Sequence, residues 1–195
     1  SDCLVGSEMC IRDSFLTKPL GVGIITTTQK RGNVDPVHLA AAVHSMQTLN
    51  SVGAELSAIP GVHAMTDVTG FGLMGHLLEM CQGSNTKAEI YGDQVQTFEG
   101  VPQYHAMGMV PGGTHRNFSS YGRHLDLPSG YLRDLLCDPQ TSGGLLVAVA
   151  PEHAPVVQRL LAEKGMPDAA IGRMLGDKDS QSRESIVSYQ KRRDC

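Results

Sequence analysis

The sequence predicts an α+β fold, a mixed β-sheet with helices packed mainly on one side. Three observations carry this. Strand-like and helix-like patterns alternate along the chain, but not as a strict βαβ series. The run LLVAVA, 145–150, is continuously apolar, as expected of a strand buried on both faces. Glycine is abundant, at 22 of 195 residues, which suits a loop-rich mixed fold better than a helical bundle. The length favours one main domain, and a 41% hydrophobic content supplies a sizeable core.

The elements follow in order. Residues 1–14, SDCLVGSEMCIRDS, have no helical or strand period and resemble translated adapter sequence, so they are expected to be a non-native or disordered leader. LGVGIITTTQ, 20–29, is rich in β-branched residues and predicts a strand. DPVHLAAAVHSMQTLN predicts a helix with Asp35 as N-cap, Pro36 at the first helical position, and Leu39, Val43, Met46 and Leu49 on one face. A short helix over 51–58 and a strand over VHAMTDVT follow. The helix from Phe71 to Cys81 is expected to bury Phe71, Met74, Leu77, Leu78 and Cys81. TKAEIYG predicts a short strand, and 98–128, rich in Gly, Pro and Ser, reads mostly as loop. After LLVAVA, the stretch EHAPVVQRLLAEKG predicts a helix with Val156, Val157, Leu160 and Leu161 inward and Gly165 as its stop. DAAIGRMLG predicts the final strand. The folded unit is thus expected over 15–176, and 177–195, polar and mixed in charge, as a flexible tail.

Composition narrows the function classes. A net charge of −4 and 5% aromatic residues without Trp argue against a nucleic-acid partner. No apolar run approaches the roughly 18–20 residues that span a bilayer, so no membrane partner is expected. Five widely spaced cysteines without a C-x-x-C disfavour a disulfide framework or a zinc site, and fit a reducing, cytoplasmic setting. The eight histidines form no H-x-x-x-H pair.

The chemistry concentrates at HAMTDVTGFGLMGHLLEMC, 63–81. A strand leads into a turn holding Gly70, Gly72 and Gly75, and a helix leads out, the G-x-G-x-x-G arrangement whose amides hold phosphate. Glu89, 19 residues past Gly70, makes a dinucleotide site the first comparison. Asp67 at the mouth of the turn speaks against it. At about 4 Å and an effective dielectric near 20, a carboxylate and a phosphate charge repel by roughly 4 kcal/mol. A divalent cation between them reverses the sign, since Mg²⁺ takes one or two carboxylates together with phosphate oxygens. The alternative is that Asp67 caps the helix or, with Thr69, holds the turn, the glycines serving only close packing.

Other polar loops repeat the theme. LLCDPQTSGGLL places Asp138, Gln140, Thr141 and Ser142 before two glycines that suit close approach to a ligand or to a facing chain. An Asp-Pro turn satisfying its own amides explains the same residues. Arg116, in PGGTHRNFSSYG, is a candidate phosphate clamp or a solvated loop residue. His76 suits a hydrogen-bonded structural role, and Cys137 a buried, inert thiol.

Taken together, LTKPLGVGIITT, DVTGFGLMGHLLEMCQG, VPGGTHRNFSSYG and LLCDPQTSGGLLVAV resemble selenophosphate synthetase (selenide, water dikinase). The likeness is to its C-terminal half, the domain type shared with aminoimidazole ribonucleotide synthetase. The resemblance implies a two-domain homodimer that converts ATP, selenide and water into selenophosphate, AMP and phosphate with Mg²⁺ and a monovalent cation. It places ATP and metal between the N- and C-terminal domains. It makes Asp67 a metal ligand, and Thr66, Thr69, Gly70, Gly72, Asn117 and Thr141 nucleotide-binding positions. The family's catalytic cysteine or selenocysteine, with its lysine, belongs to the N-terminal half, so no catalytic residue is expected here and the chain alone is expected to be inactive. The alternatives are another ATP-dependent relative, of the purine-pathway synthetase or thiamine monophosphate kinase type, and a non-catalytic dimerisation or binding module.

Overall fold

The structure, a computed structural model, describes residues 12–176 and 185–191. In chain order the elements are β1 (Arg12–Leu16), α1 (Val22–Lys30), α2 (Pro36–Gln47), α3 (Val52–Ser57), β2 (Val62–Asp67), α4 (Gly72–Ser84) and β3 (Lys87–Ile90). There follow α5 (Val101–Ala106), α6 (Gly112–Tyr121), β4 (Leu125–Asp126), α7 (Tyr131–Leu136), β5 (Leu145–Val149), α8 (Ala154–Glu163), β6 (Gly172–Leu175) and β7 (Val187–Tyr189). The strands form one mixed sheet in the order β2-β5-β1-β6-β3-β7-β4. Pairing is antiparallel from β2 to β3 and parallel where β7 joins β3 and β4.

The apolar run of β5 is explained by its place in this sheet. Leu146 and Ala148 face a large core filled from α1, α2 and α4 to α7, while Leu145, Val147 and Val149 face a smaller one closed by α3 and α8. Helices therefore lie mainly on one side, as expected, with two on the other. Phe15 and Leu16 divide between the two cores in the same alternation.

Several expectations need correction. Arg12, Asp13 and Ser14, assigned to the leader, lie in β1 near the centre of the sheet, where Ser14 pairs with Ala148 on one side and Gly172 on the other. At the other end Val187–Tyr189 pair with β3 and β4, so the sheet extends past residue 176. Residues 1–11, 177–184 and 192–195, including Cys3, Cys10 and Cys195, lie outside the described residues. The expected strand at 20–29 is α1, with Val22, Ile24, Ile25 and Thr28 buried. Tertiary packing overrides local preference here. The Thr28 hydroxyl donates to the Ile24 carbonyl one turn back, and the helix start is capped from a distant loop. The 98–128 stretch holds α5 and α6 rather than mostly loop. Phe71 and Val156 are exposed, not buried, and Leu49 lies past the end of α2 at 81% exposure.

Other elements stand where the sequence put them. Asp35 caps α2 through Val37 N–H, and Gly165, at φ +65°, follows α8. Met74, Leu77, Leu78 and Cys81 are buried along α4.

Candidate functional site

β2 is an edge strand, and it delivers Asp67 to its end with the side chain exposed. The turn beyond is stitched to the loop 137–144. Val68 N–H donates to Gly144 carbonyl, Gln140 N–H to Thr69 carbonyl, and the Asn117 amide donates to the carbonyls of Gly70 and Cys137 at 2.9 and 3.0 Å. The Tyr121 hydroxyl donates to Phe71 carbonyl at 2.6 Å.

The three glycines of the turn have different jobs. Gly70 faces open space, so a side chain would meet nothing within 4 Å. Gly72 adopts φ +69°, and a Cβ there would stand 2.8 Å from the Cys137 carbonyl carbon. Gly75 permits the approach of Tyr121 to α4. Only Gly70 is shaped for a visitor from outside. Gly143 and Gly144 likewise serve a facing chain, since Cβ atoms there would meet Val68 carbonyl and Lys18 N–H.

The loop itself is a hub. Asp138, completely buried, accepts from Gly23 N–H at 2.9 Å and from the Gln140 amide at 2.9 Å, while Gln140 Oε1 accepts from Val22 N–H. Two side chains more than a hundred residues away thus cap α1, whose own N-cap, Gly21, offers none. Burial, partly offset by these hydrogen bonds, raises the Asp138 pKa from its ordinary 3.8 to about 7. Among the described residues its Oδ1 makes no bond of ordinary geometry, although the buried Thr114 hydroxyl stands close enough to favour the charged form. Lys18, also buried, donates its three ammonium protons to the carbonyls of Ser45, Thr48 and Ser142, joining the end of α2 to the hub.

Between α1, α6 and the hub lies an open cleft of about 490 Å³. Gly70, Asn117 and Thr141 line it with Gly23, Thr26, Thr27, Lys30, Arg31, Arg116 and the Pro111–Gly113 turn. Thr66, Asp67, Thr69 and Gly72 do not. Thr66 is half-buried on β2, and Gly72 lies beneath the turn. The Thr69 hydroxyl meets His76 Nε2 at 3.1 Å, and His76 Nδ1 meets Glu79 at 3.2 Å, a structural link within α4 of the kind expected for His76. Glu89 is buried on β3 and paired with Arg173 across the strands, away from any ribose role. Burial pushes the Cys137 thiol up to about 11, fitting an inert group. Sequence reasoning missed Thr26, Thr27, Lys30 and Arg31 because it read their helix as a strand. Reading α1 as a helix would have placed Thr27, Lys30 and Arg31 at i, i+3 and i+4 on one face.

Among the described residues, no group of three or more His, Cys, Asp or Glu could hold a metal. Asp67 fits a metal as one carboxylate of a shared set. It is exposed, sits beside the open Gly70, and makes no side-chain hydrogen bond or ion pair among the described residues.

Residues 15–184 match the family described as AIR synthase related protein, C-terminal domain. The chain belongs to that family. The chain also has close relatives by sequence. One from Cronobacter sakazakii (strain ATCC BAA-894), named selenide, water dikinase, is 52% identical over 161 residues, covering 82% of this chain and 46% of that protein. Another of the same name, from Haemophilus influenzae (strain 86-028NP), is 47% identical over 160 residues with the same coverage. The chain spans about half the length of the curated relatives it matches. Among solved structures, thiamine-monophosphate kinase from Stenotrophomonas maltophilia K279a superposes with a TM-score of 0.60 at 16% identity, over 92% of this chain and 50% of that one. Hydrogenase maturation protein HypE in complex with ATP gives 0.60 at 18%, over 92% and 47%. These two share the fold, and the family domain carries it here.

Proposed function

We propose that this chain is the C-terminal part of a selenide, water dikinase. In this reading it works against an N-terminal domain, in a cytoplasmic homodimer, to convert ATP, selenide and water into selenophosphate, AMP and phosphate. The observation that carries the reading is about 50% identity with proteins of that name over 160–161 residues, 82% of this chain. The exposed Asp67 at the open side of the glycine turn supports it. The thiamine-monophosphate kinase likeness is one of backbone alone.

In this reading Asp67 is the domain's contribution to a Mg²⁺ shared with the nucleotide, and the metal would neutralise charge on the transferring phosphoryl group. A monovalent cation completes the proposed set. The chain's own residues hold that acid in place. Val68 and Thr69, the two residues directly after it, are pinned to the hub, and His76 fixes the Thr69 hydroxyl. Thr66, Thr69, Gly70, Gly72, Asn117 and Thr141 would flank or shape the nucleotide's place. Asn117 does so by fixing the Gly70 carbonyl rather than by offering its amide protons to a ligand, since both bonds from Nδ2 go to backbone.

A domain exchange tests the reading. Residues 12–191, which hold all seven strands, would replace the matching part of the Cronobacter sakazakii relative, and AMP formation from ATP and selenide would be followed. The expected result is turnover by the exchange protein, none by this chain alone, and a loss of at least about a hundredfold on Asp67→Asn with the fold unchanged by circular dichroism. Near-parental activity of the Asn variant removes Asp67 from the site. An inactive but folded exchange protein removes the functional assignment.

A further inference from the structure

We propose that the cleft between α1 and the first turn of α6 is a binding site for a phosphate oxyanion that operates without metal and apart from Asp67. The ion pairing of the cleft is one-sided. Lys30, Arg31 and Arg116 line it, no Asp or Glu does, and none of the three makes a salt bridge among the described residues. The chain as a whole carries −4, so this concentration of cations is not a by-product of a basic protein.

Helix dipoles do not explain the set. Lys30 and Arg31 stand at the end of α1, where cations are favoured, but Arg116, the fifth of the ten residues of α6, reaches back towards the positive end of its helix. Its guanidinium folds back over that end: a Cβ at Gly112 would lie 3.3 Å from Nη1, and one at Gly113 3.8 Å from Nη2. Two bare glycines therefore leave room for the guanidinium beside the first turn of α6, whose amides have no partner within the helix. Left to themselves guanidinium and amides repel, and an oxyanion between them accepts from both. Thr26, Thr27 and Thr141 add hydroxyls to the same walls. The walls are also held in place, α1 by the Asp138 and Gln140 caps and the turn at Gly70 by Asn117, so the cations are presented on a fixed frame.

The volume, about 490 Å³, exceeds what orthophosphate fills and accommodates a polyphosphate tail. The site stands on the cleft alone. Its assignment to the nucleotide's tail, in preference to free orthophosphate, rests on the function proposed above.

Titration calorimetry on the full chain in chelator, without divalent metal, tests this with orthophosphate, tripolyphosphate and ATP. Tripolyphosphate is expected to bind more tightly than orthophosphate, and binding is expected to weaken as salt rises. Arg116→Ala and Lys30→Ala should each weaken it at least about tenfold. Arg159→Ala, on the exposed face of α8, should leave it within about twofold. Competition by ATP assigns the site to the nucleotide tail; orthophosphate binding without ATP competition keeps the site and assigns it to free phosphate. No binding up to roughly 10 mM of any of the three, or binding unchanged in a folded Arg116→Ala protein, overturns the proposal. Mn²⁺ binding by electron paramagnetic resonance separates the two readings. Its persistence in Asp67→Asn counts against the metal site while leaving the anion site standing.

Discussion

Asp138 is the residue on which most local order converges, and its chemistry makes it a titrating one. Its carboxyl is completely buried and binds its proton far more tightly than in an unfolded chain, with a pKa near 7 against an ordinary 3.8. The folded state therefore holds more protons than the unfolded state between about pH 4 and pH 7. The stability this supplies is full below about pH 4 and is lost as pH rises towards 7. Asp138→Asn keeps an acceptor for Gly23 N–H and the Gln140 amide, and turns a donor towards the side where Oδ1 now faces the Thr114 hydroxyl. The expected result is a melting temperature that falls less between pH 5 and pH 8 in the variant than in the parent. Parallel pH profiles would show that Asp138 is ionised throughout. Lys18 is the complementary case, a buried cation with no ion pair among the described residues, held by three carbonyls. Burial lowers its pKa, and the carbonyls supply acceptors for all three of its protons.

At the scale of elements, α6 shows both what the sequence revealed and what it concealed. Its inward positions are Thr114, Asn117 and Tyr121, at helical spacing but mostly polar, so a hydrophobic period cannot reveal it. The inward face is polar because it bonds backbone. Asn117 alone satisfies two carbonyls on two different segments. Asn117→Ala would strand both, at a cost of about 2–3 kcal/mol, and lower the melting temperature by roughly 5–10 °C. A shift under about 2 °C would mean that water replaces the amide freely. The α1 helix was hidden for a related reason, since its cap comes from residues 138 and 140. By contrast α2, α4, α8, β2 and β5 were legible, because their caps, apolar periods and bounding turns are all local. The same division holds at the site. Asp67 and the glycine turn announce themselves in a short run of sequence. The cations of α1 become neighbours of Arg116 only once the sheet has brought the two helices together.

For the molecule as a whole, the sheet gathers its chemistry at one edge. β2, the outermost strand, ends in Asp67, and the hub beside it ties β2, α1, α2, α4 and α6 to one short loop. The long-range cap also constrains any recombination between relatives. A crossover placed anywhere between residues 31 and 137 would take α1 from one parent and its capping side chains from the other, whereas a junction before Phe15 or after Ala150 moves them as a pair. Hybrids of the first kind should survive only where the parent giving the loop keeps the acid and the amide and the parent giving α1 keeps a glycine at 23, since a Cβ there would lie 2.5 Å from Asp138 Oδ1, so the loop and the helix are inherited as one unit despite the hundred residues between them.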